Sequence, residues 1–213
     1  MQYIFRKIGL VSVALSVLLL VACNGNDQPV TMEDEEKKEA PKQALNWEVP
    51  DFEYTNQDGK KIGLSDLEGK VWLTNVMFTR CPDVCPPMTA NMSKIQEAMK
   101  KEGLDDVAIV SFSVDPEHDQ PKVLKEFGER YDVNFTNWHF LTGYSDKEIK
   151  KIVRETFKSD VIKQEQKSKN DPMIINHPVS FYLVDQKGMV YERYDGMNPD
   201  EKQILQDIKK LVK

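Results

Sequence analysis

The sequence predicts an α/β domain, a central sheet flanked by helices with an N-terminal β-hairpin extension. Three observations predict it. The runs at 71–78 and 107–114 are almost continuously apolar, as strands buried on both faces are. Stretches with apolar residues at helical spacing follow both of them. The chain then closes on two short strands around a turn and an amphipathic helix.

The hairpin comes first, with Phe52-Glu53-Tyr54 and Lys60-Lys61-Ile62-Gly63-Leu64 on either side of an Asp58-Gly59 turn. The buried strand at 71–78 then runs into Thr79-Arg80-Cys81-Pro82-Asp83-Val84-Cys85-Pro86. Pro86 suits the first turn of a helix, where its missing N–H costs nothing. Met88 and Met92 look like thioether ligands singly, but their spacing with Ile95 and Met99 makes them the core face of that helix. The strand at 107–114 stops at Asp115-Pro116. A helix over 121–131 follows, with Val123, Leu124 and Phe127 facing inward. A short strand at 138–141 leads to a helix over 145–157 whose Ser145-Asp146-Lys147-Glu148 start reads as a capping box. Residues 158–172 are polar and unpatterned, and loops of that length inside a compact domain are usually functional or mobile. Strands at 179–184 and 189–194 flank the Asp185-Gln186-Lys187-Gly188 turn. The last helix, 198–212, puts Ile204, Leu205, Ile208, Leu211 and Val212 on one face.

This order is thioredoxin-like: parallel strands joined by right-handed crossovers, with the final hairpin adding antiparallel strands. In such a sheet the loop after the central strand lies at the carboxyl edge, where sites in open α/β sheets form.

The N-terminus reads as a leader. Arg6 and Lys7 precede an apolar stretch that ends in Leu20-Val21-Ala22-Cys23, a pattern too short and wrongly flanked for a spanning helix. That ending resembles the bacterial lipobox, which implies a signal peptide over 1–22 and a lipidated Cys23 as mature N-terminus. An uncleaved anchor with a buried Cys23 is the other reading. Both put the chain at the cell membrane on its extracytoplasmic side. Residues 23–46 are polar, with the charge run Glu33-Asp34-Glu35-Glu36-Lys37-Lys38-Glu39 and Pro29 and Pro41. They bury too little apolar surface to fold and are expected to form a flexible tether. The folded domain is then 47–213. Net charge is -6 and becomes more negative once Arg6 and Lys7 are lost, which argues against nucleic acid and against electrostatic docking on anionic lipid.

Of the 3 cysteines, lipid accounts for Cys23. Cys81 and Cys85 remain, alone in an oxidising compartment, as a redox couple or a metal site. A structural bridge closing so short a loop removes little chain entropy. At this spacing on the first turn of a helix, both thiols are expected on one helix face, where the dipole favours thiolate. Of the 3 histidines, His118 lies in a polar stretch and reads as solvated. His139 reads as a hydrogen-bonded strand residue. His177 opens the strand at 179–184, which in a thioredoxin-like fold starts beside the cysteine loop. It is the candidate third ligand, or else a structural histidine. Asp83, between the cysteines, is a candidate to support the ligands or a solvated turn carboxylate. Asp115 ends a neighbouring strand and is a candidate to face the site.

The run from Gly69-Lys70-Val71-Trp72 to Cys81-Pro82-Asp83-Val84-Cys85-Pro86 resembles the Sco (SenC) family of copper-handling thioredoxin-like proteins. Ser113-Val114-Asp115-Pro116-Glu117-His118-Asp119 and His177 with Phe181-Tyr182-Leu183-Val184-Asp185-Gln186-Lys187-Gly188 do so too. The likeness runs from about residue 47 to the C-terminus. It implies copper on Cys81, Cys85 and His177, and a role in building the CuA centre of cytochrome c oxidase subunit II. Two positions depart from the family pattern. Pro178 stands where Thr or Ser is common, and restricts His177 to extended backbone. Arg80 replaces a residue that is often uncharged or His, and either stabilises thiolates or weakens cation affinity by like charge.

The chemistry of the residues agrees. Two thiolates neutralise Cu(II), and soft sulfur also suits Cu(I). Zinc accepts the same Cys₂His set, but the affinity order of divalent ions favours Cu(II). Ligation needs neutral His177, so affinity should fall as pH drops through its titration range. The expected function is a membrane-tethered factor passing copper or reducing equivalents to subunit II, with a membrane-side thiol-disulfide reductase keeping its thiols open. The alternative is a metal-independent thiol-disulfide oxidoreductase, against which the three-residue spacer leans. A thiol peroxidase is a third reading, with nothing in the sequence to mark a peroxide pocket.

Overall fold

Burial on both faces selects the two strands at the centre of the molecule. In the computed structural model, which describes residues 44–166, 168 and 171–212, every residue of 72–77 and of 108–113 is buried. The leader, Cys23 and the expected tether as far as residue 43 lie outside the described residues.

The elements in chain order begin with β1 (Trp47–Glu48), the hairpin β2 (Glu53–Asn56) and β3 (Lys61–Gly63), and a one-turn helix α1 (Leu64–Leu67). Then come β4 (Trp72–Met77), α2 (Cys85–Lys101), β5 (Ala108–Ser113), α3 (Pro121–Glu129), β6 (Trp138–Thr142) and α4 (Asp146–Phe157). A ribbon of β7 (Ile162–Lys163) and β8 (Ile175–Asn176) precedes β9 (Ser180–Val184), β10 (Met189–Asp195) and α5 (Glu201–Leu211).

The main sheet has 8 strands in the order β1-β10-β9-β4-β5-β6-β2-β3. β4 and β6 run parallel to β5, β9 is antiparallel to β4, and β10 is antiparallel to β9. This is the expected thioredoxin-like arrangement. The hairpin joins it through β2, which pairs with β6 at Thr55↔Thr142 and Asn56↔Leu141. Its turn is closed by Asn56, whose Oδ1 accepts from the backbone N–H of Asp58 and of Lys60 at 3.0 Å each. Gly59 has φ 75, which glycine adopts without steric penalty.

Three features differ from the expectation. Leu45 and Asn46, expected in the tether, donate to Tyr191 O and Val190 O of β10 at 3.1 and 3.0 Å. Residues 158–172 are not featureless: β7 pairs with β8 through Ile162↔Asn176 and Lys163↔Ile175. Four residues expected on inner faces are not fully covered, among them Leu205 and Leu211, which are partly buried. Val123 is half-buried, and Val212 is 42% exposed, because helical periodicity names a face without saying how far the sheet extends beneath it.

The core is rich in aromatic and methionine side chains. Trp72, Phe112, Phe140 and Tyr182 are essentially inaccessible, and Met88, Met92 and Met99 of α2 are as deeply buried, in agreement with their reading as packing residues. Phe157 of α4 stacks on Tyr182 of β9, with centroids 4.4 Å apart. The capping box of α4 forms as its sequence predicts: Ser145 Oγ accepts from Glu148 N at 3.3 Å, and the Glu148 carboxylate accepts from Ser145 N at 2.7 Å. Ser145→Ala should therefore lower unfolding free energy by about 1 kcal/mol. Urea unfolding should show the midpoint falling with an unchanged slope.

Candidate metal centre

The end of β4 and the start of α2 set the geometry of the cysteines. Cys85 is the first residue of α2 and fully buried, followed by Pro86 in the first turn. Cys81 is not on the helix, contrary to expectation. It lies in the preceding loop, 9% exposed, with its N–H donating to Phe78 O at 3.3 Å. Prolines on both sides of Val84 shape that loop, and the helix opens only at Cys85. The thiols still meet, because Cys81 Sγ folds back over the helix start and accepts the N–H of Cys85 at 3.4 Å. Both are free thiols.

His177 comes from the segment between β8 and β9. Its Nε2 lies 3.4 Å from Cys85 Sγ, and its Nδ1 lies 2.9 Å from Pro178 O. A carbonyl oxygen only accepts, so Nδ1 carries the ring proton and Nε2 turns a lone pair to the thiols. Phe78 packs edge-on to the imidazole at 5.8 Å and limits its rotation. The ligating atoms of Cys81, Cys85 and His177 all lie within 4.8 Å of one another. The structure thus brings together all three residues expected to form the site, and among the described residues this is the one such group of histidine, cysteine and carboxylate side chains. A cavity of about 440 Å³ opens onto it, lined by Cys81, His177 and mainly apolar side chains such as Val84, Met173 and Ile174.

The two thiols differ in character. Cys81 is held well below the usual thiol range, first by the hydrogen bond from Cys85, with further donation from the backbone N–H groups of Asp83 and Cys85. Cys85 is pushed far above it by its hydrogen bond to Cys81, by burial and by the charge on Cys81. The two shifts favour the negative charge on Cys81 and the proton on Cys85.

The other candidates separate. Asp83 is exposed, and its contribution to Cys81 comes from its backbone N–H. Asp115 is buried and takes the Arg80 guanidinium, Nε to Oδ2, at 2.6 Å. Arg80 therefore turns its charge onto a carboxylate. His118 is exposed, and His139 sits 3.5 Å from Asn56 Nδ2, with its protonation disfavoured by burial.

Sequence reasoning missed Asp119. It is fully buried, and its carboxylate accepts from Thr79 N at 3.1 Å, Thr79 Oγ1 at 2.5 Å and Ser113 Oγ at 2.6 Å. Burial still raises its pKa against these donors. It anchors Thr79, two residues before Cys81. A lone acidic residue just before a helix in a polar run gives little signal, and only its place in Ser113-Val114-Asp115-Pro116-Glu117-His118-Asp119 marks it.

The family model described as SCO1/SenC matches residues 40–213. The chain belongs to the SCO1/SenC family. The SCO1 protein homolog of Bacillus subtilis is 46% identical over 169 residues, covering 79% of this chain and 84% of that protein. The crystal structure of a SCO1/SenC family lipoprotein from Bacillus anthracis superposes with TM-score 0.73 at 46% identity, covering 82% of this chain and all of that one. BsSco, described as a Sco-family cytochrome c oxidase assembly protein with a disulfide switch, gives TM-score 0.70 at 44% identity over 79% of this chain and 95% of its own. Bradyrhizobium japonicum ScoI, solved with copper bound, gives 0.65 at 28% identity over 76% and 98%. Among the described residues no helix is long and apolar enough to cross a membrane.

The thiol asymmetry has a chemical signature. Reduced protein treated briefly with iodoacetamide at pH 5–6 should be alkylated at Cys81 and spared at Cys85, because only a group of lowered pKa is thiolate there. Peptide mapping by mass spectrometry checks this. Equal labelling would contradict the asymmetry.

Proposed function

We propose that this chain is an extracytoplasmic copper-binding assembly factor, held at the membrane through Cys23, that serves the CuA centre of cytochrome c oxidase subunit II. The observation that carries the reading is the convergence of Cys81, Cys85 and His177 within 4.8 Å. Copper-bound ScoI and the oxidase-assembly role of BsSco support it by kinship. The Bacillus anthracis relative is a lipoprotein, which supports the anchor read from Leu20-Val21-Ala22-Cys23.

The donor set fits copper in either oxidation state. Two thiolates and one imidazole suit Cu(I), and their charge neutralises Cu(II). Cys81 is already thiolate, the Nε2 lone pair of His177 already faces inward, and Cys85 gives up its proton as the ion enters. Binding at neutral pH should therefore release about one proton, and acid should weaken it.

One equivalent of Cu(II) added to reduced protein should give an intense sulfur-to-copper charge-transfer band. His177→Ala should weaken copper binding on the order of a hundredfold while retaining a thiolate band. Absence of any visible band, or unchanged affinity in the variant, would remove the three-ligand site. Cells carrying Cys81→Ser with Cys85→Ser should lose oxidase assembly.

The unequal thiols favour a second use of the same residues. Cys81 thiolate attacks a partner disulfide, one partner thiolate leaves, and a mixed disulfide forms. Cys85 then passes its proton to His177 Nε2 and attacks Cys81 sulfur, releasing the second partner thiolate and leaving the Cys81–Cys85 disulfide. The partner gains two electrons and the pair loses two, so a membrane-side thiol-disulfide reductase must reset it. Turnover of a disulfide substrate by metal-free protein tests this use.

A further inference from the structure

The ribbon that carries His177 to the cysteines is too small to hold itself. Each strand has two residues, and the ribbon forms a sheet separate from the main one. An isolated pair of strands so short has no stability of its own. Ile175 and Val161 anchor it in the core, but apolar contact does not choose between neighbouring registers as a directed ion pair does.

The directed contact comes from Lys163. Its Nζ lies 3.7 Å from Asp115 Oδ1 and 2.5 Å from Asp146 Oδ1. The other oxygen of Asp115 holds Arg80 Nε at 2.6 Å. Side-chain exposure is 3% for Asp115, 21% for Lys163 and 37% for Arg80, so the attraction at Asp115 is less screened than at an open surface. The carboxylates of Asp115 and Asp146 meet Arg80, Lys163 and Lys150 here, and the chain around Asp115 leads straight to the site. Arg80 immediately precedes Cys81. Lys163 pairs across the ribbon with Ile175, two residues before His177.

We infer that Lys163 is a positioning residue for the metal centre: with Asp115 and Arg80 it forms an ionic strap that holds the His177 ribbon in register against the cysteine loop. The inference rests on the reading of Cys81, Cys85 and His177 as ligands. Loss of the Lys163 charge leaves Asp115 with Arg80 alone and Asp146 with Lys150 at 3.8 Å. The ribbon then loses its ion pair to the strand end beside the cysteines, and His177 loses its fixed approach while both thiols keep theirs.

The test uses the whole chain and Lys163→Met, which keeps the aliphatic stem and removes the charge. Lys163→Gln is carried in parallel and held to the same outcomes. Cu(II) affinity should fall roughly tenfold or more, and nitrogen coupling from His177 should weaken in the electron paramagnetic resonance spectrum while the thiolate band persists. Without metal, amide exchange at 174–177 should accelerate and exchange in β4 and β5 should not. Lys163→Arg should restore both readouts, and Lys150→Met, which removes a partner of Asp146 alone, should change neither. Wild-type affinity, coupling and exchange in Lys163→Met overturn the strap, as does failure of Lys163→Arg to rescue. Lack of nitrogen coupling in the wild type overturns the ligand reading instead, and the metal-free exchange then still judges the strap.

Discussion

Two carboxylates at the carboxyl end of β5 are cut off from water, and the site is arranged around the donors they require. A buried carboxylate without partners costs several kcal/mol. Asp119 meets its need with Thr79 and Ser113, and Asp115 with Arg80 and Lys163. Thr79 and Arg80 are the two residues before Cys81. The polypeptide between β4 and α2 is thus held from beneath by charges with nowhere else to go. The parallel pairing of β4 with β5, Met77 opposite Ser113, sets these groups side by side.

On that base the ligands divide their labour. Cys85 begins a helix and sits in the core, so it is placed by packing. Cys81 sits in a loop beside the cavity and draws backbone and side-chain donors, so its chemistry is that of an accessible thiolate. His177 arrives from a small ribbon and presents a lone pair to both. One rigid sulfur, one reactive sulfur and one imidazole on a separately held segment suit the uptake and release of an ion that the proposed function requires. The same division suits disulfide exchange, in which the reactive sulfur attacks and the buried one resolves.

Much of this was legible in the chain. Unbroken apolar runs gave β4 and β5, the Ser145–Glu148 pair gave the start of α4, and the paired thiols with a distant histidine gave the three side chains that the fold brings together. What escaped depends on neighbours distant in sequence. β1 is a strand only because β10 offers it an edge, and β7 and β8 are strands only because each finds the other. Asp119 and Lys163 look like ordinary solvated charges until the fold brings Thr79 and Asp115 to them. The expectation of both cysteines on one helical face failed because the two prolines, Pro82 and Pro86, delay the helix to Cys85. The thiols meet through a folded-back loop instead.

The sheet ends on β1 at one side and β3 at the other, strands of two and three residues. Edges so short offer almost no row of open N–H and C=O groups for another strand to zip onto. The folded domain is thereby protected from sticking to other chains, or to copies of itself, by backbone pairing. Recognition is left to the loops and side chains around the cavity, where an encounter can be brief and can end.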